Sequence, residues 1–241
     1  MALASGRGPF ACAWTIVGFP PTVRRMFLTR TRGLRLAAPI ALLLIAVPAA
    51  VAAPTRSPAA AIQPPPCVPQ VVPDVLVMGG GFSPATRSTS TPGTTVHWQW
   101  NGTSASVTST GGLPLLKSQV KSSGTYSFTF WSAGSFPYHS TVNTSQTGVI
   151  QVKMCNVPKT ARAGTATAFQ VASAHRRGWV ADVEVLRPGT TKWAWLKTDV
   201  TTTFVTFTPA RAGTYQLRAR LRDKALKKAS GFSPASTLRV S

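Results

Sequence analysis

From Val71 onward the chain alternates apolar and polar residues in short runs, and Gly and Pro interrupt them at near-regular intervals. Period-two alternation bounded by turn residues is the mark of half-buried strands. The pattern predicts strands at Val71–Met78, Thr94–Trp100, Ala105–Thr110, Thr125–Trp131, Phe136–Val142 and Gly148–Lys153. After Pro158 it predicts a second set at Thr165–Ala172, Val180–Arg187, Lys192–Lys197, Thr202–Thr208, Thr214–Arg222 and Thr237–Val240. Many short strands without helical periodicity imply an all-β chain of two β-sandwiches. The expected domains are 71–156 and 157–241.

The segment before these strands reads differently. Arg24, Arg25, Arg30, Arg32 and Arg35 precede an uncharged stretch centred on Ile40-Ala-Leu-Leu-Leu-Ile-Ala-Val47, followed by Ala50-Val51-Ala52. Basic flank, apolar core and small-residue cleavage site describe a secretory signal. Residues 1–52 are therefore expected to be a leader cleaved after Ala52, with Met26 as the true start. Arg24-Arg25-Met-Phe-Leu28 also matches a twin-arginine pattern loosely. Residues 53–70, with Pro64-Pro65-Pro66, read as a Pro/Ala-rich linker. The expected location is secreted or extracytoplasmic, associated with the cell envelope.

Cysteine usage agrees with export. Cys12 falls in the leader, leaving Cys67 and Cys155, an even count for an oxidising compartment. They are expected to pair.

Composition narrows the chemistry. The 241 residues hold 26 Lys and Arg but only 5 Asp and Glu, for a formal net charge of +21. Asp74, Asp182, Glu184, Asp199 and Asp223 are spread along the chain, which argues against Mg²⁺ or Ca²⁺ sites and against paired-carboxylate catalysis. No Ser-His-Asp or Cys-His set assembles from His97, His139 and His175. The chain is thus expected not to be an enzyme. Positive charge concentrates late: four basic residues face one acid between Val68 and Asn156, whereas fifteen face four from Val157 onward.

The stretch Val71–Met154 resembles the plastocyanin/azurin-like cupredoxins. The resemblance rests on Phe82-Ser-Pro84, Pro92-Gly-Thr-Thr-Val-His-Trp98, Ser106-Val-Thr-Ser109, Gly124-Thr-Tyr-Ser-Phe-Thr-Phe130, Ala133-Gly-Ser-Phe-Pro-Tyr-His139 and Thr147-Gly-Val-Ile-Gln-Val152, in that order. It implies a Greek-key sandwich whose aromatic core includes Trp98, Trp100, Phe128, Phe130 and Trp131. It also implies a copper site built from two His, one Cys and a Met, soft ligands suited to that metal. Here the four ligand positions hold Ala105, Ser140, Asn143 and Gln146, so the expectation is a cupredoxin-like scaffold without cofactor. His97 and His139 are the remaining imidazoles on this domain that copper could use, and a blue-copper electron carrier is the alternative reading.

Residues 159–241 resemble an immunoglobulin-like sandwich of the fibronectin type III kind, through Val183-Glu-Val-Leu-Arg187, Trp193, Thr202-Thr-Phe204, Gly213-Thr-Tyr-Gln-Leu-Arg-Ala-Arg220 and Gly231-Phe-Ser-Pro-Ala-Ser236. Alternation along its penultimate strand puts Arg218, Arg220 and Arg222 on one face. Lys224, Lys227 and Lys228 follow in the next loop. These six are the candidate contact for an anionic envelope polymer or lipid surface. No aromatic-studded basic groove suggests nucleic acid, and a monomer is expected. The function that follows is an exported, non-enzymatic binding or structural protein.

Overall fold

The computed structural model describes residues 63–69 and 74–241. The expected leader, Met26, Cys12, the cleavage site and most of the 53–70 linker lie outside these residues. Among the described residues no helix is long and apolar enough to cross a membrane.

Among the described residues, eight strands precede Asn156: β1 (Val75–Met78), β2 (Gly81–Ser83), β3 (Thr86–Ser90), β4 (Thr94–Trp100), β5 (Thr108–Ser109), β6 (Thr125–Phe130), β7 (Gly134–His139) and β8 (Thr147–Val152). They form two four-stranded sheets, ordered β2-β1-β4-β6 and β3-β8-β7-β5. Strands β1 and β4 run parallel, as do β3 and β8; the other pairs are antiparallel. Alternation explains the packing. On β4, Thr94, Val96, Trp98 and Trp100 are buried, while Thr95, His97 and Gln99 point outward or are only partly covered. Trp98, Phe130, Phe136 and Tyr138 fill the space between the sheets with Val75, Val77, Ile150 and Val152. Aromatics of this size bury roughly 150–250 Å² each, enough to give a small sandwich its core.

Eight more strands follow: β9 (Thr160–Ala161), β10 (Thr167–Gln170), β11 (Trp179–Leu186), β12 (Ala194–Val200), β13 (Phe204–Phe207), β14 (Gly213–Asp223), β15 (Lys228–Ala229) and β16 (Ser236–Val240). One sheet is ordered β12-β11-β14-β16-β9, with β15 against β14, and it faces the pair β10-β13. Val183, Val185, Leu217, Ala219 and Leu238 pack inward against Phe169, Val205 and Phe207. The chain is thus all-β, built of sandwiches.

The two sandwiches are joined by backbone as well as side chains. Ser135 and Gly231 exchange two hydrogen bonds of 2.9 Å, Cys155 and Gln170 exchange two of 3.0 and 2.8 Å, and the Ala133 N–H donates to Val171 O at 2.8 Å. Trp131 belongs to the first core, as expected, and also meets Trp179 of the second sandwich edge to face at 5.6 Å, with the Arg176 guanidinium 3.7 Å from its ring centre. Leu221 of β14 reaches the first core in turn. A Cβ on Gly112 would come within 2.6 Å of Ala229 O, so the contact there needs glycine.

Cys67 and Cys155 form a disulfide across 88 positions, with Cα atoms 6.3 Å apart. The Cys67 N–H donates to Gln170 Oε1 at 2.6 Å. The bridge therefore sits at the seam between the sandwiches and fastens the segment that precedes β1.

Candidate functional site

The four positions that the cupredoxin resemblance assigns to metal ligands come together at one end of the first sandwich. Ala105 and Ser140 are fully buried, Gln146 is buried, and Asn143 is exposed. Each polar side chain among them makes a local hydrogen bond. Ser140 Oγ accepts from the N–H groups of Ser106 (3.2 Å) and Val142 (3.3 Å). Gln146 Nε2 donates to Gly79 O at 3.1 Å. Asn143 Oδ1 accepts from the Ser145 N–H and hydroxyl. The backbone closes the loop, with the Ser140 N–H donating to Gln146 O and the Gln146 N–H to Asn143 O, both at 3.0 Å.

This donor set does not fit type 1 copper. It holds no thiolate, imidazole or thioether, and the Ser140 hydroxyl and Asn143 Oδ1 already accept hydrogen bonds. His97 and His139 do not supply the deficit. His97 lies on β4 and its Nδ1 is 2.7 Å from Ser127 Oγ; His139 lies on β7, in the other sheet, with Nδ1 2.8 Å from Thr110 Oγ1. Among the described residues no group of three or more His, Cys, Asp or Glu is placed to hold a metal ion.

The outward face of the second sandwich is organised around charge. Arg218, Arg220 and Arg222 project from one side of β14, as the alternation requires, but they are not a bare cationic strip. Antiparallel register sets Asp182 of β11 opposite Arg220, and Glu184 opposite Arg218. Arg218 donates from Nε (2.8 Å) and one Nη (2.6 Å) to Glu184 Oε2. Arg222 donates from Nε and Nη to the two oxygens of Asp182, at 2.8 and 3.0 Å, and also to Asp199 at 3.0 Å. Arg220 adds a bond of 3.2 Å to Asp182. Burial would raise the Asp182 carboxyl, but hydrogen bonds from Arg222, the Asp199 N–H and Arg220 outweigh it and hold the group below the ordinary carboxylate range. Arg222 is raised correspondingly, its hydrogen bond to Asp182 being the largest cause.

Aromatic rings complete this face. The Arg218 guanidinium lies 4.0 Å from the Trp193 ring centre and 4.2 Å from that of Phe232, and Arg220 lies 5.1 Å from both Trp195 and Phe232. The alternation of cations on β14 discloses neither these rings nor the three carboxylates. The signal for them is the alternation of Asp182 and Glu184 with Val183 and Val185, and of Trp193 with Trp195 around Ala194. Lys224 reaches Asp199 at 3.8 Å. Lys227 and Lys228 are exposed at the turn into β15, and neither is within ion-pair distance of a carboxylate among the described residues.

No family model matches the chain, and no curated protein matches it. Solved structures similar to it include the FN1–FN3 domains of chicken CNTN1, at 14% identity over 63% of this chain and a TM-score of 0.29. This chain spans 62% of that one. The fibronectin(III)-like modules of Clostridium thermocellum CbhA match at 12% identity over 66% of this chain and 90% of theirs, with a TM-score of 0.22. A copper nitrite reductase from Nitrosomonas europaea matches at 14% identity over 70% of this chain and 82% of its own, with a TM-score of 0.21.

Proposed function

We propose that this chain is an exported, non-catalytic binding or structural protein. In this reading the first sandwich is a cupredoxin-like scaffold that has exchanged its metal site for hydrogen bonds. The second is an immunoglobulin-like or fibronectin type III-like module that contacts anionic envelope material. The observation that carries the reading is the trio Ser140, Asn143 and Gln146, which puts a hydroxyl and two amides held in local hydrogen bonds where type 1 copper needs a thiolate, an imidazole and a thioether. The Cys67–Cys155 bridge supports an oxidising location. The excess of basic residues after Val157 supports an anionic partner.

Retention of the mature protein on intact envelope, scored at low and high salt, tests the reading. Screening shortens the reach of exposed charges to about 10 Å at 0.1 M salt. Binding at low salt and release at high salt is the expected result; no retention at low salt refutes envelope contact. One equivalent of Cu(II) added to the protein should leave no intense visible charge-transfer band and no stoichiometric metal after desalting. A stable blue species would overturn the scaffold reading.

A further inference from the structure

The three arginines of β14 and Lys224 occupy the carboxylates of Asp182, Glu184 and Asp199. The other two acids of the chain are Asp74, before β1, and Asp223, whose Oδ1 accepts from the N–H groups of Ala225 and Leu226. Among the described residues, the remaining cations of the second sandwich therefore have no carboxylate within ion-pair distance; Arg176, Arg177, Lys227 and Lys228 lie at the end next to the first sandwich.

Strand register places four others at one end. Leu186 at the close of β11 pairs with Gln216 near the start of β14, and Gly213 pairs with Val240 at the close of β16. Thr167 pairs with Phe207, and the Gly164 N–H donates to Pro209 O. The loops after β9, between β11 and β12, and between β13 and β14 thus meet at the same pole. They carry Arg162, Arg187, Lys192 and Arg211, all exposed. The first sandwich docks at the opposite end, where Leu221 and Gly231 make their contacts. No acidic side chain lies in the pole's loops.

A recess of about 460 Å³ opens between these loops, lined by Arg187, Thr190, Thr208, Arg211 and the edges of Phe207 and Tyr215. Its volume falls in the range of small-molecule sites. Tyr215 is fixed, since its hydroxyl donates to Arg211 O at 3.0 Å and accepts from the Arg211 N–H at 3.3 Å. The main chain of Arg211 is thereby anchored while the residue stays exposed. Two arginines from separate loops thus line one recess, and guanidinium forks suit the tetrahedral oxygens of a phosphate. Among the described residues, none of the exposed large apolar side chains lies in these loops, and Trp193, half-buried there, packs under the Arg218 guanidinium.

The geometry points to this pole as a binding site for a phosphate-bearing linear polymer, with one repeat unit seated between Arg187 and Arg211 and flanking phosphates met by Arg162 and Lys192. The inference rests on the proposed envelope contact and moves it from the β14 face to the free end of the sandwich.

Inorganic polyphosphate is the probe, titrated against the mature protein. The variant R162Q/R187Q/K192Q/R211Q should bind at least about tenfold more weakly with a shallower salt dependence. The variant K224Q/K227Q/K228Q should stay within about twofold of the parent. Circular dichroism verifies that both are folded, and R187Q/R211Q, which alters only the recess, should show most of the loss. Equal binding by the fourfold variant and the parent overturns the site. So does an equal loss in the lysine variant, which would indicate diffuse charge. Sedimentation with phosphatidylglycerol vesicles without polyphosphate binding would overturn it in favour of a membrane. If the parent is retained on envelope and the fourfold variant is retained as well, the site falls while the envelope reading stands. If the parent is not retained, the envelope reading falls, and polyphosphate binding alone decides the site.

Discussion

Arg222 grips Asp182 with two nitrogens, Nε at 2.8 Å from Oδ2 and Nη at 3.0 Å from Oδ1, across two neighbouring antiparallel strands. The carboxylate is almost fully covered, with 2% of its side chain exposed, whereas Arg222 keeps 23%. The acid is therefore the buried partner, and its arginines form its roof. Replacing Asp182 by Asn removes a desolvated acceptor shared by Arg220, Arg222 and the Asp199 N–H. The arginines can recover water, so the cost should be below that of a fully buried pair, about 2 kcal/mol. Denaturant unfolding of the parent and the variant at neutral pH measures it.

The same carboxylate sets an acid limb. Its folded pKa lies below the ordinary 3.8. Its contribution is therefore complete above that value and is lost as pH falls through the lowered one. Urea melts of the parent should weaken below about pH 4, and Asp182→Asn should flatten that limb. An unchanged acid limb in the variant would show that other groups govern it.

The disulfide closes a loop of 88 positions. Bridges over loops of this size contribute about 2–5 kcal/mol, largely by restricting the unfolded chain. The Cys67→Ser/Cys155→Ser variant should lose stability in that range by denaturant unfolding. Reductant should lower the parent to the same midpoint and leave the variant unmoved.

Local pattern and distant pairing divide what the amino-acid sequence discloses. Strand β4 is legible to the residue, because Thr94, Val96, Trp98 and Trp100 alternate without interruption. Strand β3, Thr86–Ser90, is not, since it carries no apolar residue and exists by pairing with β8. The β14 arginine stripe is legible from period two alone. Its neutralisation is not, because Asp182 and Arg220 are 38 positions apart and only register brings them together. The aromatic neighbours of Trp131 place it in the first core by pattern. It does sit there; its further contact with Trp179 is not legible, because only the bridge from Ser132 to Ala172 brings the second sandwich against it.

Tyr138 supplies an alkaline counterpart to Asp182. Burial pushes its phenol from 10.0 up to about 12, against smaller opposing effects of Trp98 and Arg87. Among the described residues its buried hydroxyl has no hydrogen-bond partner, while its ring packs on Phe82 at 4.7 Å and Trp98 at 5.5 Å. A raised folded pKa gives stability that is complete below pH 10 and lost as pH climbs toward 12, about 2–3 kcal/mol in all. Tyr138→Phe keeps the ring, removes the titration and drops a buried orphan polar atom. It should match or exceed the parent at pH 8 and lose less stability between pH 10 and 12. A variant that weakens as steeply as the parent would place the alkaline transition on other groups.

Trp131 is the residue whose loss should separate the two sandwiches. Its ring contacts Trp179 at 5.6 Å and the Arg176 guanidinium at 3.7 Å, and its carbonyl accepts from the Ser173 N–H at 2.7 Å. Truncation to Ala leaves the backbone bond but empties the volume between the cores, at a cost of about 3–5 kcal/mol. Because Leu221 of the second sandwich also belongs to the first core, the parent should unfold in one transition seen alike by tryptophan fluorescence and far-UV circular dichroism. Trp131→Ala should split this into two transitions and admit a protease near Asn156–Lys159, the strand-free link between β8 and β9. A variant that still melts in a single, merely lowered transition would assign the coupling to the Ser135–Gly231 and Cys155–Gln170 bridges. Adding Gly231→Pro, which removes the donor to Ser135 O, should then produce the split that the tryptophan alone did not.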